Sequence, residues 1–267
     1  MSVESALAVR GLRHAFGATV AVDGLDLDVT PGEIFGLLGP NGAGKTTAIR
    51  MVTTLLPVRT GSVEVFGLDV RARTMAVRRL IGYVPQLLSA DAALSGRENV
   101  ALFARLFDVP RGQRRERIDE AIDAMGLADA ADRAAGTYSG GMVRRLELAQ
   151  ALVSSPRLLI LDEPTIGLDP VARTTVWERI TEVRAETGMT VLVTTHSMEE
   201  AHRYCDRVAL MHRGQIRASG TPDGLVAGLD GAGDSLEDVF RRYTGDDLNA
   251  GGFRDVRATR RTARRLG

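Results

Sequence analysis

The segment Gly39-Pro40-Asn41-Gly42-Ala43-Gly44-Lys45-Thr46-Thr47 carries the spacing G-x-x-x-x-G-K-[ST]. Residues of these types in this order do phosphate chemistry. Glycines let backbone N–H groups curl around an anion, an ammonium reaches the β- and γ-phosphates, and a hydroxyl faces Mg²⁺. Lys45 is also the one lysine among 34 Lys and Arg residues. A chain that uses arginine everywhere else keeps a compact ammonium here, where a planar guanidinium would not serve. A plain glycine turn between a strand and a helix is the competing reading. Two further spots could do chemistry: the acid pair Asp162-Glu163 and His196, each directly after an apolar run. A paired Asp-Glu there could equally cap a helix. Of His14, His196, His202 and His212, only His196 stands at the end of such a run.

Three short apolar runs must position these groups: Ile34 to Leu38, Leu158 to Leu161, and Thr190 to Thr194. Their length and lack of alternation predict strands covered on both faces of a mostly parallel sheet. Each ends on one of the three spots above, and in open α/β sheets ligands bind beyond the carboxyl ends of the strands. Ahead of them, Ala6 to Arg10 and Val20 to Val29 alternate like half-exposed strands. Thr30-Pro31-Gly32-Glu33 reads as a turn and Ser62 to Phe66 as a further strand. Residues 87–155 are rich in Ala and Arg with helical periodicity, which predicts a helical subdomain inserted into the sheet. The charged run Arg111 to Glu120 within it reads as a solvated helix face. Arg207 to His212 and Gln215 to Ser219 flank Arg213-Gly214 as a hairpin. The glycine-rich piece Gly228 to Gly233 follows, and then a helix over Ser235 to Tyr243, opened by a Ser-x-x-Asp capping box. Beyond Gly251 six arginines stand against one aspartate, which predicts a basic, disordered tail over 251–267.

The 267 residues suit one large α/β domain, or one domain with a small appendage. The formal net charge is zero, so the chain as a whole offers no electrostatic footprint for nucleic acid. A single cysteine, Cys205, excludes an internal disulfide, and its apolar setting reads as a small core filler in a reducing compartment. No stretch has the length of a membrane-spanning helix and the N-terminus lacks the order of a secretory signal, which predicts a soluble, cytoplasmic protein.

Tyr83-Val84-Pro85-Gln86, Tyr138-Ser139-Gly140-Gly141-Met142, Asp162-Glu163, Gly167-Leu168-Asp169 and His196 follow the phosphate loop in that order. With it they resemble the nucleotide-binding subunit of an ATP-binding cassette (ABC) transporter over about residues 4–222. The ending Leu236-Glu237-Asp238-Val239-Phe240, with Thr244-Gly245, is similar to the daunorubicin-resistance-type ATPases of the ABC-2 exporter group.

The resemblance implies a P-loop NTPase of the ABC ATPase fold: a mostly parallel α/β core sheet, an antiparallel β subdomain and the inserted helical subdomain. It implies a nucleotide-binding domain over 1–222 and a short helical extension over 223–250. It implies ATP and Mg²⁺ as cofactors. Phe16 would stack on adenine, although a core Phe in a hairpin is the plainer reading. Residues 39–47, with Asp169, would hold nucleotide. Thr46, Asp162 and Gln86 would serve Mg²⁺, which keeps several waters and takes few protein ligands. Glu163 would be the general base toward water, with Lys45, His196 and Gln86 completing the catalytic set around the γ-phosphate. Ser139, Gly140 and Gly141, in isolation a common helix start, would bind the γ-phosphate held by a second copy. One chain then completes its site only as a homodimer.

The resemblance further implies export of a drug-like or other hydrophobic compound through a separate polytopic membrane permease. The subunit would sit peripherally on the cytoplasmic face of the cell membrane, its surface over Leu87 to Arg97 docked on the permease. Tyr138 and Met142 depart from the usual Leu and Gln at the two ends of the turn. The stretch between the last hairpin and Leu236, Thr221 to Asp234, is shorter than in such exporters. Other readings are an importer subunit and a soluble ABC ATPase that clamps nucleic acid, the latter supported only by the basic tail.

Overall fold

The computed structural model describes residues 5–87, 89–229 and 235–245. Leu88, much of the glycine-rich piece, the end of the predicted extension and the basic tail lie outside the described residues.

β1 (Leu7–Phe16) and β2 (Thr19–Val29) pair antiparallel, with Leu7 opposite Val29. Strand β1 runs six residues past the predicted Arg10, because Gly11, at φ +53°, absorbs a register shift between Val9 and Leu12. β3 (Ile34–Leu38) is buried throughout and leads into α1 (Lys45–Val52). β4 (Thr60–Val65) pairs with β1 and carries the two-residue β5 (Leu68–Asp69), giving the sheet order β2-β1-β4-β5. Next come α2 (Thr74–Leu80) and β6 (Ile81–Val84), which sequence reading did not anticipate. Four residues are too few to show a period.

Helices α3 (Gly96–Leu106), α4 (Arg114–Ala124) and α5 (Gly140–Leu152) then intervene before β7 (Leu158–Asp162). After α6 (Pro170–Thr187), β8 (Thr190–Thr195), α7 (Met198–Tyr204), β9 (Arg207–His212) and β10 (Gln215–Gly220) complete the second sheet. Among the described residues its order is β10-β9-β3-β8-β7-β6, parallel except for β10. The chain continues with α8 (Pro222–Ala227) and α9 (Leu236–Thr244).

Strand alternation explains why the central runs are apolar without a break. Leu38, Leu159, Leu161, Val191 and Val193 face the cluster shared with the helices, and Phe35, Leu37, Leu158, Ile160 and Leu192 face the cluster shared with the antiparallel sheet. Both faces are covered, and each such side chain contributes about 1.5–3 kcal/mol on burial. Gly36 holds β3 close to its neighbours: a Cβ there would stand 3.0 Å from Cys205 Sγ. Cys205 is itself buried, and burial pushes its thiol up. Helix α9 buries Leu236, Val239 and Phe240 in the helical cluster, with Ser235 Oγ accepting from Asp238 N and the Phe240 ring edge-on to His212.

Candidate active site

The carboxyl ends of β3, β7 and β8 lie side by side, so the segments that leave them share one end of the sheet. From β3 the chain turns into α1 with no room for side chains at two points. A Cβ on Gly39 would fall 2.2 Å from Met211 O, and one on Gly44, at φ +108°, 2.2 Å from Ala21 O. Gly44 is the N-cap of α1 and gives no side-chain hydrogen bond, so first-turn N–H groups face outward for an anion. Lys45 is 5% exposed and its Nζ donates to Gly39 O (2.6 Å) and Pro40 O (3.2 Å). The loop from Pro40 to Thr47 lines a cleft of about 430 Å³ together with Phe16, Ala21, Gln86 and Glu163, a size suited to a small-molecule ligand. Phe16 stands half-exposed at the end of β1, edge-on to His14 with ring centroids 4.6 Å apart.

Asp162, the last residue of β7, accepts from Thr194 Oγ1 (2.5 Å) and Thr46 Oγ1 (3.3 Å) through Oδ1. Its buried Oδ2 has no hydrogen-bond partner among the described residues. An orphaned carboxylate oxygen beside a hydroxyl fits Mg²⁺, a hard cation that takes one or two protein oxygens and keeps its waters. No group of three or more His, Cys, Asp or Glu that could hold a metal ion forms among the described residues.

Glu163 adopts φ +54°, unusual for a non-glycine residue, and Thr194 holds it there by accepting the Glu163 N–H through both O (3.0 Å) and Oγ1 (3.1 Å). Its Oε1 lies 3.2 Å from Lys45 Nζ and its Oε2 2.5 Å from His196 Nδ1. Burial pushes the carboxyl up, but the His196 hydrogen bond and the charge of Lys45 outweigh it and hold Glu163 below its usual range. The same hydrogen bond raises the His196 imidazole, against the opposing effect of its partial burial. A carboxylate held toward its ionised form beside a cleft, between an ammonium and an imidazole, can accept a proton or orient water.

Of the remaining predicted residues, Ser139, Gly140, Gly141 and Asp169 sit apart from the cleft, and Gln86 lines it. Ser139 caps α5, its Oγ accepting from Met142 N at 3.3 Å, and Ser139 and Gly140 are exposed. Ser139, Gly140 and Gly141 do not line the cleft of Lys45. A Cβ on Gly141 would stand 2.8 Å from Ala172 Cβ, so α5 meets α6 closely here. Tyr138 reaches back to donate its hydroxyl to Ala130 O (2.6 Å), which anchors the turn on the helical side. Asp169 is exposed and caps α6 through Ala172 N at 3.0 Å. Gln86 is exposed at the end of β6, on the rim of the cleft.

Sequence reading missed Thr194, Arg144 and Glu147. A threonine inside an apolar strand looks like a β-branched filler. Arg144 and Glu147, both 2% exposed on α5, carried the one available signal: charges three apart on a face that helical periodicity sends inward.

Residues 22–166 match the ABC transporter family. The chain is 46% identical over 224 residues to the daunorubicin/doxorubicin resistance ATP-binding protein DrrA of Streptomyces peucetius, covering 84% of this chain and 68% of that one. It is 43% identical to the Nod factor export ATP-binding protein I of Rhizobium sp. (strain N33), over 83% of this chain and 72% of that one. Among solved structures it resembles an ATP binding subunit of an ABC transporter, with a TM-score of 0.79 and 28% identity over 90% of this chain and 100% of that one. It also resembles cbiO1 from Clostridium perfringens, with a TM-score of 0.78 and 30% identity over 84% and 91%. The family match and relatives of this kind along most of its length show that the chain belongs to the ABC transporter family as an ATP-hydrolysing domain, with a phosphate loop, a carboxylate pair and a histidine gathered at one sheet end.

Proposed function

We propose that the chain binds MgATP in the cleft of Lys45, closes around two nucleotides with a second copy of itself, and uses hydrolysis to drive export of a hydrophobic compound through a separate membrane protein. The observation that carries this reading is the division of the site. The cleft holds Lys45 and Glu163, whereas the Ser139-Gly140-Gly141 helix start, with Ser139 and Gly140 exposed, does not line it. Such a turn, with its helix dipole, favours an anion and suits the γ-phosphate of ATP on the opposite copy. Within one chain, Lys45 and the α1 N–H groups take the β- and γ-phosphates. Thr46 and Asp162, with Gln86 nearby, would hold Mg²⁺, which when bound would supply charge neutralisation at the phosphates. Glu163 orients and deprotonates water, and His196 fixes Glu163 through Oε2 and offers a positive charge toward the γ-phosphate. Phe16, at the cleft rim, supplies an exposed ring face for the adenine.

Export follows the similarity to relatives named for daunorubicin/doxorubicin resistance and Nod factor export. No helix among the described residues is long and apolar enough to cross a membrane, so transport needs a partner that does. The surface over Leu87 to Arg97 would dock a helix of that partner, a reading that the exposure of Leu87, just past Gln86, supports.

Mixing two inactive chains tests the shared site. Lys45→Ala and Ser139→Glu each abolish hydrolysis alone, and their mixture regains it, because a mixed pair contains one site with intact Lys45 and intact Ser139. A mixture as inactive as its components sinks the shared-site reading.

A further inference from the structure

The α5 helix that starts at Ser139 grips the loop that carries Gln86 along one buried face. Arg144 Nη1 donates to Pro85 O (2.9 Å) and Nη2 to Gln86 O (3.3 Å). Arg144 Nη1 also pairs with Glu147 Oε2 at 2.9 Å. Glu147 Oε1 in turn accepts from Ser89 N and Ser89 Oγ. One helical turn on, Gln150 Nε2 donates to Asn99 Oδ1 (3.1 Å), and Asn99 binds the Asp91 N–H and the carbonyls of Asp91, Leu94 and Ser95. Residues 144, 147 and 150 thus hold successive points of the segment between Pro85 and Ser95.

A buried ion pair is a poor means of stabilising a fold. Removing two charges from water costs several kcal/mol per ion before their attraction returns any of it, and apolar replacements of like volume are often as stable. Burial is indeed the leading influence on both groups, lowering the Arg144 guanidinium and raising the Glu147 carboxyl. What an apolar pair could not do is bind two loop carbonyls and a loop N–H at once. Arginine's fork is suited to this, whereas a lysine ammonium is a point charge.

We propose that Arg144 and Glu147 are positioning residues that couple the Gln86 loop, at the chain's own nucleotide cleft, to the Ser139 turn offered to a second copy, so that the two move as one body. The proposal rests on the reading of a shared, two-copy site. Its consequence is a chain that binds ATP normally but fails to present Ser139 in register once the tie is cut.

Two variants test it in the full-length chain. Arg144→Met with Glu147→Met removes both charges while keeping volume, and Arg144→Lys keeps the pair but loses the fork. Both are expected to keep their thermal midpoint and to bind a fluorescent ATP analogue within about threefold of the parent, while kcat falls about tenfold with little change in KM. Placed on Glu163→Gln, the double variant should also form ATP-dependent dimers at least about tenfold more weakly than Glu163→Gln alone. A folded variant that hydrolyses ATP and dimerises like its parent would reduce the pair to a structural contact and overturn the proposal. So would equal losses in stability and in ATP binding for both variants. Absence of ATP-driven dimers in Glu163→Gln itself is the separate outcome that overturns the two-copy reading, and the proposal with it.

Discussion

Three influences act in opposite senses on the Glu163 proton. His196 and Lys45 favour the carboxylate and burial opposes it, and the cations win. The Glu163 contribution is therefore present above the ordinary carboxylate range and lost as pH falls through its depressed value. The His196 contribution is full below about pH 6.5, its ordinary midpoint, and lost as pH rises through its elevated value. The pair is strongest between those two limits. By NMR, the His196 titration should come above its ordinary midpoint and fall back in Glu163→Gln; an unchanged midpoint in that variant contradicts the pairing. The same substitution should reduce phosphate release by about 10²- to 10⁴-fold while ATP binding survives, since the phosphate-binding groups remain. Ser139→Glu tests a residue outside the cleft. Ser139 is exposed, so the loss of its cap costs the fold about 1 kcal/mol, yet turnover should vanish. Parallel thermal melts and ATPase assays separate the two effects.

At the scale of elements, the phosphate loop works because its glycines stand where backbone crowds in. Gly44→Ala meets Ala21 O head-on at a left-handed φ, whereas Gly42, at φ +82°, has open space around it and a Cβ there costs only backbone strain of about 1–2 kcal/mol. Gly44→Ala should therefore lower the thermal midpoint more than Gly42→Ala and abolish ATP binding. Equal effects would mean that the clash is relieved elsewhere.

The strands that position the site were legible because both faces of β3, β7 and β8 are covered, which removes polar alternation from their sequence. Lys45, Asp162, Glu163 and His196 were legible because each stands at, or on the segment leaving, the carboxyl end of one of those strands. The α2–β6 unit was not, being short and without a period. Nor were Thr194, Arg144 and Glu147, whose partners are distant in sequence. Thr194 meets Asp162 and Glu163, and Arg144 meets Pro85 and Gln86, only once the sheet has assembled.

At the scale of the molecule, the proposed function divides the catalytic centre between the cleft of Lys45 and the Ser139 turn, and gives docking on a membrane partner to the surface at Leu87. Leu87→Asp should leave ATP hydrolysis by the isolated chain unchanged, because the side chain is 80% exposed, while reducing efflux in cells that express the complete transporter. Undiminished efflux removes Leu87 from the docking surface. The fold as a whole was legible through the resemblance that the order and spacing of the motifs carry, and the solved structures of ABC ATPase domains bear it out. Which surfaces face a second copy depends on geometry beyond one chain.

The most direct test of the shared site is sedimentation of Glu163→Gln with and without MgATP. The account predicts a monomer that doubles in mass with MgATP and stays single when Ser139→Glu is added. A chain that remains monomeric with MgATP, or one that still dimerises with the Ser139 turn blocked, contradicts it.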